Sequence, residues 1–334
     1  MPHLSRTAAL LTLVLLGGRF TTACSRPEPA ERATADSVAT DTVAVEAASP
    51  SRARASERAT RRPPMPDIAP GTPVETEMRN VDFHVDSTTY LGIRYLRGRL
   101  EPVTKGVPPV FDDKTSFNIA IDSSDIVATT LSLQGLLNNY VFNYPDAPLS
   151  HLHISTDSGR LKQTGKLKSL ANASFEMIAE VSLTPEGEIK LHPVTIKTLG
   201  VKVKGLMKTF GIQMDGLVKV REYRGVRVDG NDLYLSAEEL LPPPHVRGHL
   251  VGVEVGDQQI TLHFGAPEHK SARLSPPEAK APNFMFFHGG VLRFGKLTMT
   301  GVDMEVVDAD TSNAFDFFLD RYNDQLVAGH ERNL

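Results

Sequence analysis

From residue 149 onward, apolar and polar positions alternate with the period of a β-strand. Phe175, Met177, Ala179, Val181 and Leu183 alternate with Glu176, Ile178, Glu180, Ser182 and Thr184, the pattern of a strand with one buried face. Pro185-Glu186-Gly187 supplies a turn, after which Ile189 and Leu191 share one parity. Beyond Pro193 the apolar parity passes to Val194 and Ile196, which predicts a bulge that bends the strand. Similar hairpins are predicted to join 149–155 to 160–168 through Asp157-Ser158-Gly159, and 246–255 to 258–264 through Gly256-Asp257. Strands are expected at 284–288, 291–299 and 302–307, with His288-Gly289-Gly290 as a turn between the first two. No element is assigned within 79–128.

Helical spacing interrupts this alternation. Leu133, Leu136, Leu137, Tyr140 and Val141 fall at i, i+3, i+4, i+7 and i+8 and stop before Pro145. Val203, Leu206, Met207, Phe210, Met214, Leu217 and Val218 repeat the pattern over about 202–218. Phe315, Phe318, Leu319, Tyr322 and Leu326 predict a last helix. Bent, half-buried strands with a few helices are best buried by wrapping the sheet around the helices. The expected fold class is α+β, a curved antiparallel sheet around amphipathic helices.

The N-terminal part changes the picture. Thr7 to Gly18 is an apolar run of twelve residues after the basic start Met1 to Arg6, too short to cross about 30 Å of hydrocarbon as a helix. It reads as a signal peptide over 1–23. Thr22-Ala23-Cys24 resembles the end of a bacterial lipobox, so Cys24, the chain's one cysteine, is the expected site of lipid attachment. From Thr21 to Asp82 there is no aromatic residue and no leucine, so 24–78 is expected to be a disordered tether. Residues 79–334 are expected to form one domain. The net charge of −4 becomes about −6 once Arg6 and Arg19 of the signal are removed, which argues against a nucleic-acid partner.

Catalytic and metal-binding patterns are weak. His288-Gly289-Gly290 is similar to a lipase oxyanion strand, but no G-x-S-x-G elbow accompanies it. His151 and His153 share a strand face as two metal ligands do, yet the neighbouring strand offers Arg160, Lys162, Lys166 and Lys168, which repel a cation. Asp308 to Ser312 opens like a calcium loop but has Asn313 at position six and Leu319 at twelve. The reading expects no catalytic set, no metal and no cofactor.

Several short motifs resemble a family of bacterial envelope proteins that includes the actinobacterial lipoprotein implicated in mannan elongation. They are Leu136-Leu137-Asn138, Ala147-Pro148-Leu149, Gly165, Gly205-Leu206-Met207, Gly225 to Leu233, and Leu241-Pro242-Pro243 before Gly248, spanning about 115–264. The resemblance implies a tubular lipid-binding-like fold, a curved sheet rolled round a long helix with lipid tails between them. The expected function is a cell-envelope lipoprotein, membrane-anchored on the periplasmic side of the inner or outer membrane, that binds a phospholipid or similar amphiphile for presentation or transfer. Its expected lipid-binding residues are Leu133, Leu136, Leu137, Tyr140, Leu206, Met207, Phe210, Met214 and Leu217, with Lys162, Lys166 and Lys168 placed to meet an anionic headgroup. The alternatives are a non-catalytic envelope scaffold with a filled core and an unrecognised envelope hydrolase.

Overall fold

The computed structural model describes residues 67–170, 172–199, 225–265, 274–276, 280–321 and 331–333. They belong to the second of two units into which the chain divides, Pro63–Leu334. The signal peptide, Cys24 and the expected helix at 202–218 lie outside the described residues.

Three long strands, β1 (Val74–His84), β2 (Tyr90–Pro102) and β3 (Phe117–Thr129), run as an antiparallel meander. β1 begins at Val74, within the stretch expected to be tether. Helix α1 (Thr130–Leu136) follows and continues as a π-helical turn, Leu137–Val141. Strands β4 (Leu149–Asp157), β5 (Arg160–Leu167), β6 (Ala173–Leu183), β7 (Ile189–Leu199), β8 (Val226–Asp229) and β9 (Asp232–Leu235) form a second sheet in the order β4-β5-β6-β7-β9-β8. After the one-turn α2 (Ala237–Leu240), the chain returns to the first sheet through β10 (Val246–Arg247), β11 (Leu250–Gly256) and β12 (Gln259–Gly265). β13 (Phe284–Phe294), β14 (Leu297–Val307), β15 (Phe315–Phe318) and β16 (Glu331–Asn333) complete that sheet. Its order is β11-β12-β3-β2-β1-β13-β14-β16, with β10 added to β3 and β15 to β1.

The hairpins β4–β5, β6–β7 and β11–β12 turn where the alternation places them. The bulge is present too: Ile178 opposes Thr195 and Ala179 opposes Pro193, which leaves Val194 as the extra residue. Its side chain is pushed outward and stays exposed.

The expected α+β class, a curved sheet wrapped around helices, is overturned. Among the described residues the structure is mostly β, two largely antiparallel sheets with only two short helices. The physical reason lies in 74–129, to which the pattern assigned nothing. Those strands are the middle of the first sheet, and their apolar face is what covers the second sheet. Leu96, Leu100 and Ile121 of one sheet belong to the same buried cluster as Leu161, Phe175 and Leu191 of the other. Two sheets that cover each other need no central helix.

Two local expectations also change. Gly289-Gly290 is no turn between strands, because β13 runs through it to Phe294. Gly290 takes a left-handed conformation, φ 57°, and a Cβ there would lie 2.4 Å from the Pro73 carbonyl oxygen. Gly301, on the strand opposite, is left-handed as well, so the hairpin kinks without reversing. The expected last helix starts instead as a strand, with Phe315 and Phe317 buried on one parity. β13 pairs β1 only over Glu75–Arg79, and Phe315–Phe318 fills the free edge at Val81–His84 in parallel. Unsatisfied edge hydrogen bonds outweigh a helical spacing of five residues. Phe317 then packs on Phe83 at 5.9 Å and Phe111 at 5.7 Å, while Phe111 stacks on Phe294 at 4.3 Å.

Candidate functional site

Between the two sheets lies an apolar slot. One wall comes from the first sheet: Leu91 on β2, Ile126 and Ala128 on β3, and Ile260, Leu262 and Phe264 on β12. The facing wall comes from Leu149, Ile154, Leu161, Ile189, Leu191, Val226 and Leu233 of the second sheet. Leu133, Leu136, Leu137 and Phe142 of the α1 region and Ala237, Leu240 and Leu241 near α2 contribute the remaining lining. Among the described residues Gln163 on β5 is the one polar side chain in the lining.

The slot encloses a cavity of about 100 Å³. One water needs about 10–15 Å³ on that scale, so this is no ordinary packing void. A smaller apolar pocket shares Leu91, Ile126, Leu241 and Val246 with it and extends toward Phe83 and Val85.

Helix α1 is fixed to both sheets by polar contacts. Thr129 caps it, its Oγ1 accepting from the Ser132 amide at 3.1 Å. Toward the second sheet, the Asn138 amide grips the backbone of Leu152, donating to its carbonyl at 2.8 Å and accepting from its N–H at 2.9 Å. This occurs where β4 loses register between Ser150 and His153. Gln134 Oε1 also lies 2.7 Å from His153 Nδ1. Toward the first sheet, the β1–β2 turn approaches so closely that a Cβ on Gly135 would sit 2.6 Å from Thr89 Oγ1. Tyr140 Oη donates to Asp86 Oδ2, and Asp86 Oδ1 accepts from the backbone of Thr88 and Thr89. Burial pushes the Asp86 carboxyl up, but the hydrogen bonds from Tyr140, Thr88 and Thr89 together outweigh it and hold it below the ordinary carboxylate value.

Of the expected lipid-binding residues, Leu133, Leu136 and Leu137 line the slot. Tyr140 does not; its hydroxyl is spent on Asp86 as an anchor for α1. Leu206, Met207, Phe210, Met214 and Leu217 lie outside the described residues, as does Cys24. Of the lysines expected to meet a headgroup, Lys162 on β5 pairs with Glu176 at 3.0 Å and Lys168, just after β5, pairs with Asp146. The sheet walls and Gln163 went unread. The signal for Gln163 was there: on β5 the inward parity reads Leu161, Gln163, Gly165, Leu167, with a single polar residue.

Elsewhere, His84, His192, His263 and His288 each pair with an aspartate at the surface, at 2.6–3.2 Å. Among the described residues no three His, Cys, Asp or Glu side chains converge as a metal would need. No helix there is long and apolar enough to cross a membrane. The chain matches no protein-family model, and no curated protein or solved structure is significantly similar to it.

Proposed function

We propose that this protein is a membrane-anchored cell-envelope lipoprotein that binds a phospholipid or similar amphiphile and presents or transfers it. The observation that carries this reading is the slot between the sheets, lined by Leu, Ile, Val and Phe with one amide. Concave, mostly apolar sites with few polar groups are the usual form of a binding site for such a ligand. About ten methylenes buried at about 0.8 kcal/mol each give about 8 kcal/mol before ordering costs, the scale of micromolar affinity. An acylated Cys24 at the end of a long polar stretch would hold the domain near the membrane from which it draws its ligand.

Native mass spectrometry of the protein extracted in mild detergent tests the binding directly. The expected spectrum shows the chain with a co-purifying mass in the range of one lipid. A bare chain that also takes up no fluorescent phospholipid on titration would overturn the proposal and favour a filled-core scaffold. In the same preparation, the N-terminal peptide should carry the mass of an acylated Cys24, and an unmodified Cys24 would remove the anchor from the picture.

A further inference from the structure

Gln163 sits midway along β5, opposite Ile154 of β4 and Met177 of β6, and it is only 5% exposed. Its side chain lines the slot, and its amide is the one polar group among the described lining residues. A single polar group in an apolar site is the element that orients a ligand and gives it specificity.

Among the described residues the lining holds no Lys, Arg or His, so a carboxylate or phosphate beside them would be desolvated without a counter-charge. The group that meets Gln163 must therefore be neutral and able to hydrogen-bond. We infer that Gln163 determines ligand class, its Nε2 donating to the ester carbonyl of an acyl-ester lipid whose chain fills the slot. This rests on the slot being the lipid site and adds that the ligand enters with its ester linkage inside while any charged headgroup stays outside. Plain hydrocarbon would bind without satisfying Gln163. A free fatty acid would have to leave its carboxylate elsewhere.

The test uses two rod-shaped fluorophores, diphenylhexatriene and the methyl ester of its propionic acid derivative, titrated into the delipidated full chain. The wild type should prefer the ester by about 3- to 10-fold, the value of one hydrogen bond. Gln163→Met keeps the length and removes the amide. It should lose that preference while its affinity for the hydrocarbon stays within about twofold, and Gln163→Asn should keep part of the preference. Melting temperatures of both variants serve as the folding control, and Gln163→Met should melt no lower than wild type. A preference that survives in Gln163→Met overturns the inference. So does a wild type that binds both probes equally, although the slot then stands as a lipid site. Failure of the wild type to bind either probe removes the slot reading and this inference with it.

Discussion

Adding the same three carbons at two buried alanines separates a slot from a packed core. Ala128 on β3 lines the slot, whereas Ala179 on β6 is wholly buried and lines none of it. At Ala128, Leu introduces about 90 Å³ if each added carbon takes roughly the volume of one water, about 30 Å³. The slot's cavity of about 100 Å³ has room for that. Three carbons at about 0.8 kcal/mol each set a ceiling of about 2.4 kcal/mol, and a compact unfolded state lowers the expected gain to about 1–2 kcal/mol. For a domain of this size that is a rise in melting temperature of about 2–8 °C. At Ala179 the same carbons meet packed neighbours and should cost about 1–3 kcal/mol, a fall of similar size. Thermal melts followed by far-UV circular dichroism read the two signs, and titration with diphenylhexatriene should show weakened uptake in Ala128→Leu alone. Equal losses of stability in both variants would refute the reasoning, because Ala128 would then face a closed core.

Other outcomes follow from the anchoring of α1 and from the kinked hairpin. Tyr140→Phe removes a hydrogen bond to a charged acceptor and should cost about 1.5–3 kcal/mol in urea unfolding, while lipid exchange from the protein should quicken as α1 loosens. Because the Asp86 carboxyl is held below its ordinary value, the stability it contributes is present above that value and is lost as pH falls through the lowered one. Asp86→Asn should therefore flatten the acid side of the stability–pH curve, and an unchanged acid limb would count against this anchor. Asn138→Leu strips both bonds from the Leu152 backbone and leaves those groups bare, so it should destabilise by about 2 kcal/mol or more by the same urea measurement. Gly290→Ala places a Cβ against the Pro73 carbonyl in a left-handed backbone and should lower the melting temperature; a variant as stable as wild type would contradict the kinked geometry.

What the sequence determined by itself was local. Alternation on 175–184, the turn at Pro185-Glu186-Gly187 and the parity change at Pro193 set a hairpin and its bulge, because side chains on a strand alternate and turns need particular residues. Helical spacing at Leu133, Leu136 and Leu137 likewise named three residues that face the slot. Gln163 was legible as the polar exception on an apolar parity, but its meaning required knowing what lay across from it. Only the tertiary structure decided that. Residues 74–129 meet the second sheet across the core, and β10 and β15 join strands more than a hundred residues away in sequence. The spacing of Phe315, Phe318 and Leu319 favoured a helix until an open edge at Val81–His84 claimed the segment. Edge pairing and sheet-on-sheet packing depend on partners distant in the chain, so no local period records them, and the slot exists only where two such faces stand apart.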